Sequence, residues 1–165
     1  MLRHAALALV LSGCATTAPA RLQPPAPLVF FTGCWHASAE DPSTKQRFTL
    51  RYCVEPALAG AFSFGRGVST ELGLEVHDVW GVDALTGEVT RTLFDSNGTQ
   101  GQVRSKGWDG DTLVLEGEGR GRDGATRVRE TIVRSGPDAF RATWEAFVDG
   151  RWAAYSVETL TREGR

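Results

Sequence analysis

Turn residues punctuate the second half of the chain at close to constant intervals: Thr86-Gly87, Asn97-Gly98, Asp109-Gly110, Asp123-Gly124, Gly136-Pro137 and Asp149-Gly150. Successive glycines stand eleven to fourteen residues apart. Asn-Gly and Asp-Gly favour tight hairpins, because both central residues of such turns take positive φ. Strands of about eight to ten residues between turns of this kind make an antiparallel meander.

The segments between the turns alternate as strands do. In FRATWEAFV, Phe140, Ala142, Trp144, Ala146 and Val148 share one face, and Arg141, Thr143 and Glu145 the other, with Phe147 out of step. In QRFTLRYCV, Phe48, Leu50, Tyr52 and Val54 face one way, and Arg47, Thr49, Arg51 and Cys53 the other. Period-two patterning means one buried and one wet face. No segment after Leu28 keeps a helical period. The pattern predicts an all-β domain, an antiparallel up-and-down β-barrel of roughly ten strands, since closure removes exposed edges. A two-sheet sandwich is the rival, but its crossings need longer connections than most of these. Five Trp and eight Phe can supply a core, and a net charge of −2 gives no basic footprint for nucleic acid.

The N-terminus is a processing signal. Arg3 and His4 precede an apolar run, AALALVLSG, that is too short to span a bilayer. It ends in Leu11-Ser12-Gly13-Cys14, which resembles the lipobox of bacterial lipoproteins. The resemblance implies removal of residues 1–13 and acylation of Cys14. Ala15 in place of Asp implies the outer membrane, facing the periplasm. Two or more acyl chains anchor stably where one is marginal. Residues 14–27, rich in Ala, Thr and Pro, read as an extended tether, and residues 28–165 as the folded domain.

Gly33-Cys34-Trp35 opens the first strand. Gly33-x-Trp35 resembles the Gly-x-Trp signature of lipocalins and their calycin relatives. Longer stretches, VWGVDALTGEVTRTLFDSNG, GWDGDTLVLEGE and DGRWAAYSVETLTR, resemble a bacterial lipocalin-like family of domains of unknown function. The resemblance implies that Trp35 closes one end of the barrel and that Arg162 packs over it. It brings no catalytic residues.

Two cysteines remain for an oxidising compartment, and an even remainder there suggests one disulfide. If Trp35 points inward, Cys34 points outward, as does Cys53 on the second strand. The turn between them sets the two nearly opposite each other, within reach of a bond. Two free thiols and a redox pair are the other readings.

Candidate chemistry is sparse. GRGRDG, Gly119 to Gly124, matches a dinucleotide fingerprint in letters, but the following ATRVRETIVR alternates as a strand where a helix is needed. It reads as a Gly-rich hairpin, and Asn97-Gly98-Thr99 as a turn. His36 and His77 fall on outward parity, and no spacing gives a metal site. Asp83 is expected to cap its own turn. Asp78 shares the inward parity of Val76 and Trp80, so it must be paired or protonated; it either meets an interior arginine or receives a polar group of a ligand. Phe48, Tyr52, Trp80 and Trp144 point inward and, with Asp78, are the candidate ligand-binding residues. Core packing explains the same aromatics.

The expected function is non-enzymatic: a lipid-anchored envelope protein binding a small hydrophobic ligand in its barrel, with no cofactor. The alternative is an interaction module with a filled barrel and a protein partner on its outer face.

Overall fold

The computed structural model describes residues 25–164. Cys14, the lipobox and most of the tether lie outside them. The strands are β1 (Gly33–Glu40), β2 (Arg47–Ala57), β3 (Phe62–Ser69), β4 (Leu74–Val82), β5 (Val89–Asp95), β6 (Gln100–Ser105), β7 (Trp108–Asp109), β8 (Thr112–Gly121), β9 (Gly124–Gly136), β10 (Ala139–Val148) and β11 (Arg151–Arg162). Ten of them form a closed ring in the order β6-β5-β4-β3-β2-β1-β11-β10-β9-β8, sealed by pairing of β6 with β8. All pairings are antiparallel. The two-residue β7 pairs only with β8. This is an up-and-down barrel, and closure rules out the sandwich.

Alternation sets which side chains fill it. On β1, Trp35, Ala37 and Ala39 are buried while His36 and Ser38 between them are exposed. The inward positions of β3 are Ser63, Gly65, Gly67 and Ser69, all small and all buried. Small groups on this wall make room for neighbouring side chains, Asp78 and Tyr52 beside Gly65 and Leu50 beside Gly67, whereas the aromatics gather at one end.

That end is plugged. A short 3-10 helix, Ala26–Phe31, crosses it and buries Leu28 and Phe31. Its first residue, Ala26, stands two positions ahead of Leu28. Proline near the helix start is compatible with it, since the first N–H groups lack intrahelical partners. The Trp35 indole donates to the Phe31 carbonyl at 2.8 Å, and the Trp108 indole to the Pro27 carbonyl at 2.8 Å. Phe31 stacks on Trp80, and Trp35 meets Phe140 edge to face, each with ring centroids 4.8 Å apart.

Arg162 locks the plug from outside. Its guanidinium lies 4.0 Å from the Trp35 ring centroid. It donates to the Thr32 and Phe30 carbonyls and, at 2.8 Å, to Asp138. Gly33 has φ +113°, and a Cβ there would stand 3.1 Å from Arg162 Nη1. Glycine thus serves both the backbone turn into β1 and the approach of the arginine. Arg134 makes a second such lid, 3.5 Å from the Trp108 ring centroid.

Cys34 and Cys53 are directly opposed across β1 and β2, and they are disulfide-bonded. They occupy the parity opposite to inward Trp35 and Tyr52, so the bond staples the outer face. It closes a loop of sequence separation 19. In the chain-entropy account such a loop stabilises by about 3 kcal/mol. Replacing both cysteines by serine should lower the urea midpoint by a corresponding amount while keeping the β-sheet circular dichroism. An unchanged midpoint would show that the staple does not restrain the unfolded chain.

Candidate functional site

The plug closes one end of the barrel, and the other end opens on a cavity of about 840 Å³. Volumes of this order fall within the range of small-molecule sites. Its upper wall is apolar: Phe48 and Leu50 from β2, Leu74 and Val76 from β4, Leu93 from β5 and Val128 from β9. Asp41, Gln46, Asp95, Asn97, Thr99, Arg120, Arg122 and Asp123 bring polar groups to the mouth. The Gly119–Gly124 stretch forms the β8–β9 hairpin at this rim. Asp83 and Asp95 spend their carboxylates on turns, accepting from Leu85 and Thr86, and from Asn97 and Thr99, respectively. His77 lies on the outer surface, 2.8 Å from Glu75.

The floor is polar and centres on Arg91. This arginine, on β5, is 8% exposed. Its Nε donates to Asp78 Oδ2 at 2.9 Å and its Nη2 to the same oxygen at 2.5 Å. Its Nη1 reaches both oxygens of Glu130, on β9, at 2.6 Å. Asp78 also accepts from the Tyr52 hydroxyl at 2.8 Å, and that hydroxyl accepts from the Trp80 indole at 2.8 Å. The guanidinium lies 4.5 Å from the Trp80 ring centroid and 5.3 Å from that of Trp144. Every polar atom in this chain of contacts has a partner, which burial demands.

Gly65 makes the network fit. A Cβ at this position would collide with the Asp78 carboxylate and the Tyr52 hydroxyl. The pair occupies the volume that any larger residue on β3 would take.

Burial and charge set the protonation of these groups. Burial would lower the Arg91 guanidinium, but the facing Glu130 and Asp78 carboxylates outweigh it and hold its pKa well above the ordinary value. Burial, together with the neighbouring Asp78 charge, pushes the Tyr52 hydroxyl well up. Glu130 is pushed up to about 7 by burial, although Arg91 pulls the other way. On β11, Glu158 is also pushed up by burial, with a partial offset from the Ser156 hydroxyl and Arg91.

A bulge shapes the last wall. The β10–β11 register shifts between Trp144 and Glu145, which pair with Ser156 and Ala154. Tyr155 is the extra residue, and it lines the cavity beside Ser156. Bulges commonly re-aim a side chain next to a site. Tyr155 keeps 44% of its surface accessible, yet burial still pushes its hydroxyl up.

Phe48, Tyr52, Trp80 and Trp144 line this one cavity, Phe48 toward the mouth and the other three at or near the floor. Asp78 sits behind the floor, 2% exposed, with its carboxylate taken up by Arg91 and Tyr52. Arg91, Glu130 and Glu158 were not among the residues named from sequence. Parity marks all three: Arg91 lies two residues from inward Val89 and Leu93, Glu130 between Val128 and Ile132, and Glu158 between Ser156 and Leu160. Tyr155 has no such signal, because the bulge breaks the alternation that would be used to find it.

No family model matches the chain, and no curated protein matches it. Among solved structures it is similar to a redesigned β-barrel, with 13% identity, a TM-score of 0.41, and coverage of 87% of this chain and 99% of the other. A likeness of that degree carries no argument. Closure of the barrel rests on its own strand pairings.

A pH dependence follows from Glu130. Its carboxyl titrates near 7 when folded, against 4.5 when free, so between those values the folded chain holds more protons than the unfolded one. Stability then falls as pH rises from about 4.5 to about 7, by an amount on the order of 3 kcal/mol, and levels off above. Glu158 acts in the same direction. Urea unfolding across this window should show the decline, and Glu130→Gln should flatten it. A wild-type stability that rises across the window would contradict the assignment.

Proposed function

We propose that the chain is a lipid-anchored protein of the bacterial envelope, a lipocalin-like barrel that binds a small, largely apolar molecule. The observation that carries this reading is the cavity of about 840 Å³, plugged at one end, open at the other and apolar along its upper wall. A filled barrel would serve an interaction module better, and this interior is not filled. The lipocalin-like part rests on Gly33-x-Trp35 at the start of β1 and on Arg162 over Trp35. The anchor rests on Leu11-Ser12-Gly13-Cys14, which lies outside the described residues.

A second reading, docking of a protein on the outer face, has one supporting observation. Phe62 and Phe64 on β3 and Phe94 on β5 are exposed on nearby strands of the outer surface.

Native mass spectrometry of protein extracted from its own membranes distinguishes the two. Ligand binding predicts a reproducible added mass that is lost on denaturation, while the denatured mass reports acylation of Cys14. A folded, acylated protein that never carries added mass would favour the docking reading.

A further inference from the structure

We propose that the cavity selects amphiphiles whose inner head group is a protonated amine, held by Glu158 and Glu130 while the hydrocarbon runs toward the mouth. This rests on the ligand-binding reading above and names the chemistry of that same site.

The argument begins with a count of charges. Among the described residues, the deep interior holds one cation, Arg91, against three carboxylates, Asp78, Glu130 and Glu158. Arg91 is committed: Asp78 takes two of its donor groups and Glu130 a third. It has little left for an anionic head. Glu158 has only the Ser156 hydroxyl, at 3.1 Å. Trp144 pairs with Glu130 on one side and Ser156 on the other, which sets Glu130, Tyr155 and Glu158 at nearly one level of the same cavity wall. An ammonium seated there would pair with Glu158, relieve its repulsion with Glu130 and lie near the Tyr155 ring, which favours cations on its face.

Above this site the wall is hydrocarbon, formed by Leu50, Val76, Leu93 and Val128. An alkyl chain buries apolar surface there while its head stays paired, the arrangement that a buried charge requires. The titratable groups facing the head are Tyr52 from β2, Asp78 from β4, Arg91 from β5, Glu130 from β9, and Tyr155 and Glu158 from β11. Burial raises Glu130 and Glu158, so both carboxyls ionise more readily with a cation beside them. The arginines available to an anionic head, Arg120 and Arg122, are at the mouth, and Arg120 is paired with Glu118.

Calorimetric titration of the full folded chain with decylamine, decan-1-ol and decanoate, each below its aggregation concentration at about pH 8, tests the proposal. Decylamine should bind at least roughly tenfold more tightly than decan-1-ol, the scale of one charge-assisted contact. Decanoate should bind most weakly. Glu158→Gln should abolish the preference for the amine, with an unchanged β-sheet circular dichroism showing that the variant folds. Equal or tighter binding of the alcohol or the carboxylate would overturn the amine proposal and leave the ligand-binding reading standing. Binding of none of the three would overturn both.

Discussion

The interior is organised by one buried guanidinium. Arg91 stands on β5, takes Asp78 from the adjacent β4, and reaches across to Glu130 on β9. β5 and β9 are not neighbours in the ring; β6 and β8 lie between them. The contact therefore ties two separate parts of the wall through the barrel's middle. Ion pairs of this kind are seldom retained for stability alone, because desolvating both partners costs about as much as their attraction returns. What they provide is position. With Tyr52 and Trp80 added, the network fixes a polar floor at one depth, and the space above it stays open.

The two ends follow from side-chain size. Near the plug, inward Trp35, Trp80 and Phe140 pack solidly with Phe31 of the short helix. Toward the mouth, the inward side chains are smaller, Leu50, Val76, Leu93 and Val128, with Gly101 on β6. The barrel has the same strands throughout, so filled and hollow halves differ only in the volumes hung on a common frame. Arg162 and Arg134, resting on the plug's indole rings, hold the filled half shut, and the disulfide joins β1 to β2 outside it.

Much of this was legible in the residues. The Asn-Gly and Asp-Gly beat gave the meander, because the positive-φ turns it encodes are local and need no tertiary help. Alternation placed Cys34 outward and opposite Cys53, and the bond is present. What alternation could not do is say which inward polar residues meet. Asp78 stood out because it lies beside Trp80 in an apolar run; Arg91 and Glu130 had the same parity but sat among threonines and arginines, where a charged residue draws no notice. Their meeting depends on barrel closure, which brings together residues 39 positions apart. Tyr155 was hidden for another reason, since a bulge shifts parity within a strand and one sequence does not mark where. Phe147, out of step in its strand, pairs with Trp152 across β10 and β11, and Arg129 lies 4.5 Å from the Trp152 ring centroid. Both aromatics belong to the outer surface, where hydrophobicity alone would not have put them.

The most direct test of the Arg91 account is a double-mutant cycle between Arg91→Met and Glu130→Gln, read by urea unfolding at about pH 8, where Glu130 is ionised when folded. Arg91→Met alone should cost about 3–5 kcal/mol, because it strands two buried carboxylates. Adding Glu130→Gln should return part of that loss, since one stranded charge is removed, so the combined cost falls well below the sum of the single costs. Strict additivity, or a negligible cost for Arg91→Met, would contradict the claim that Arg91 holds the floor of the cavity together.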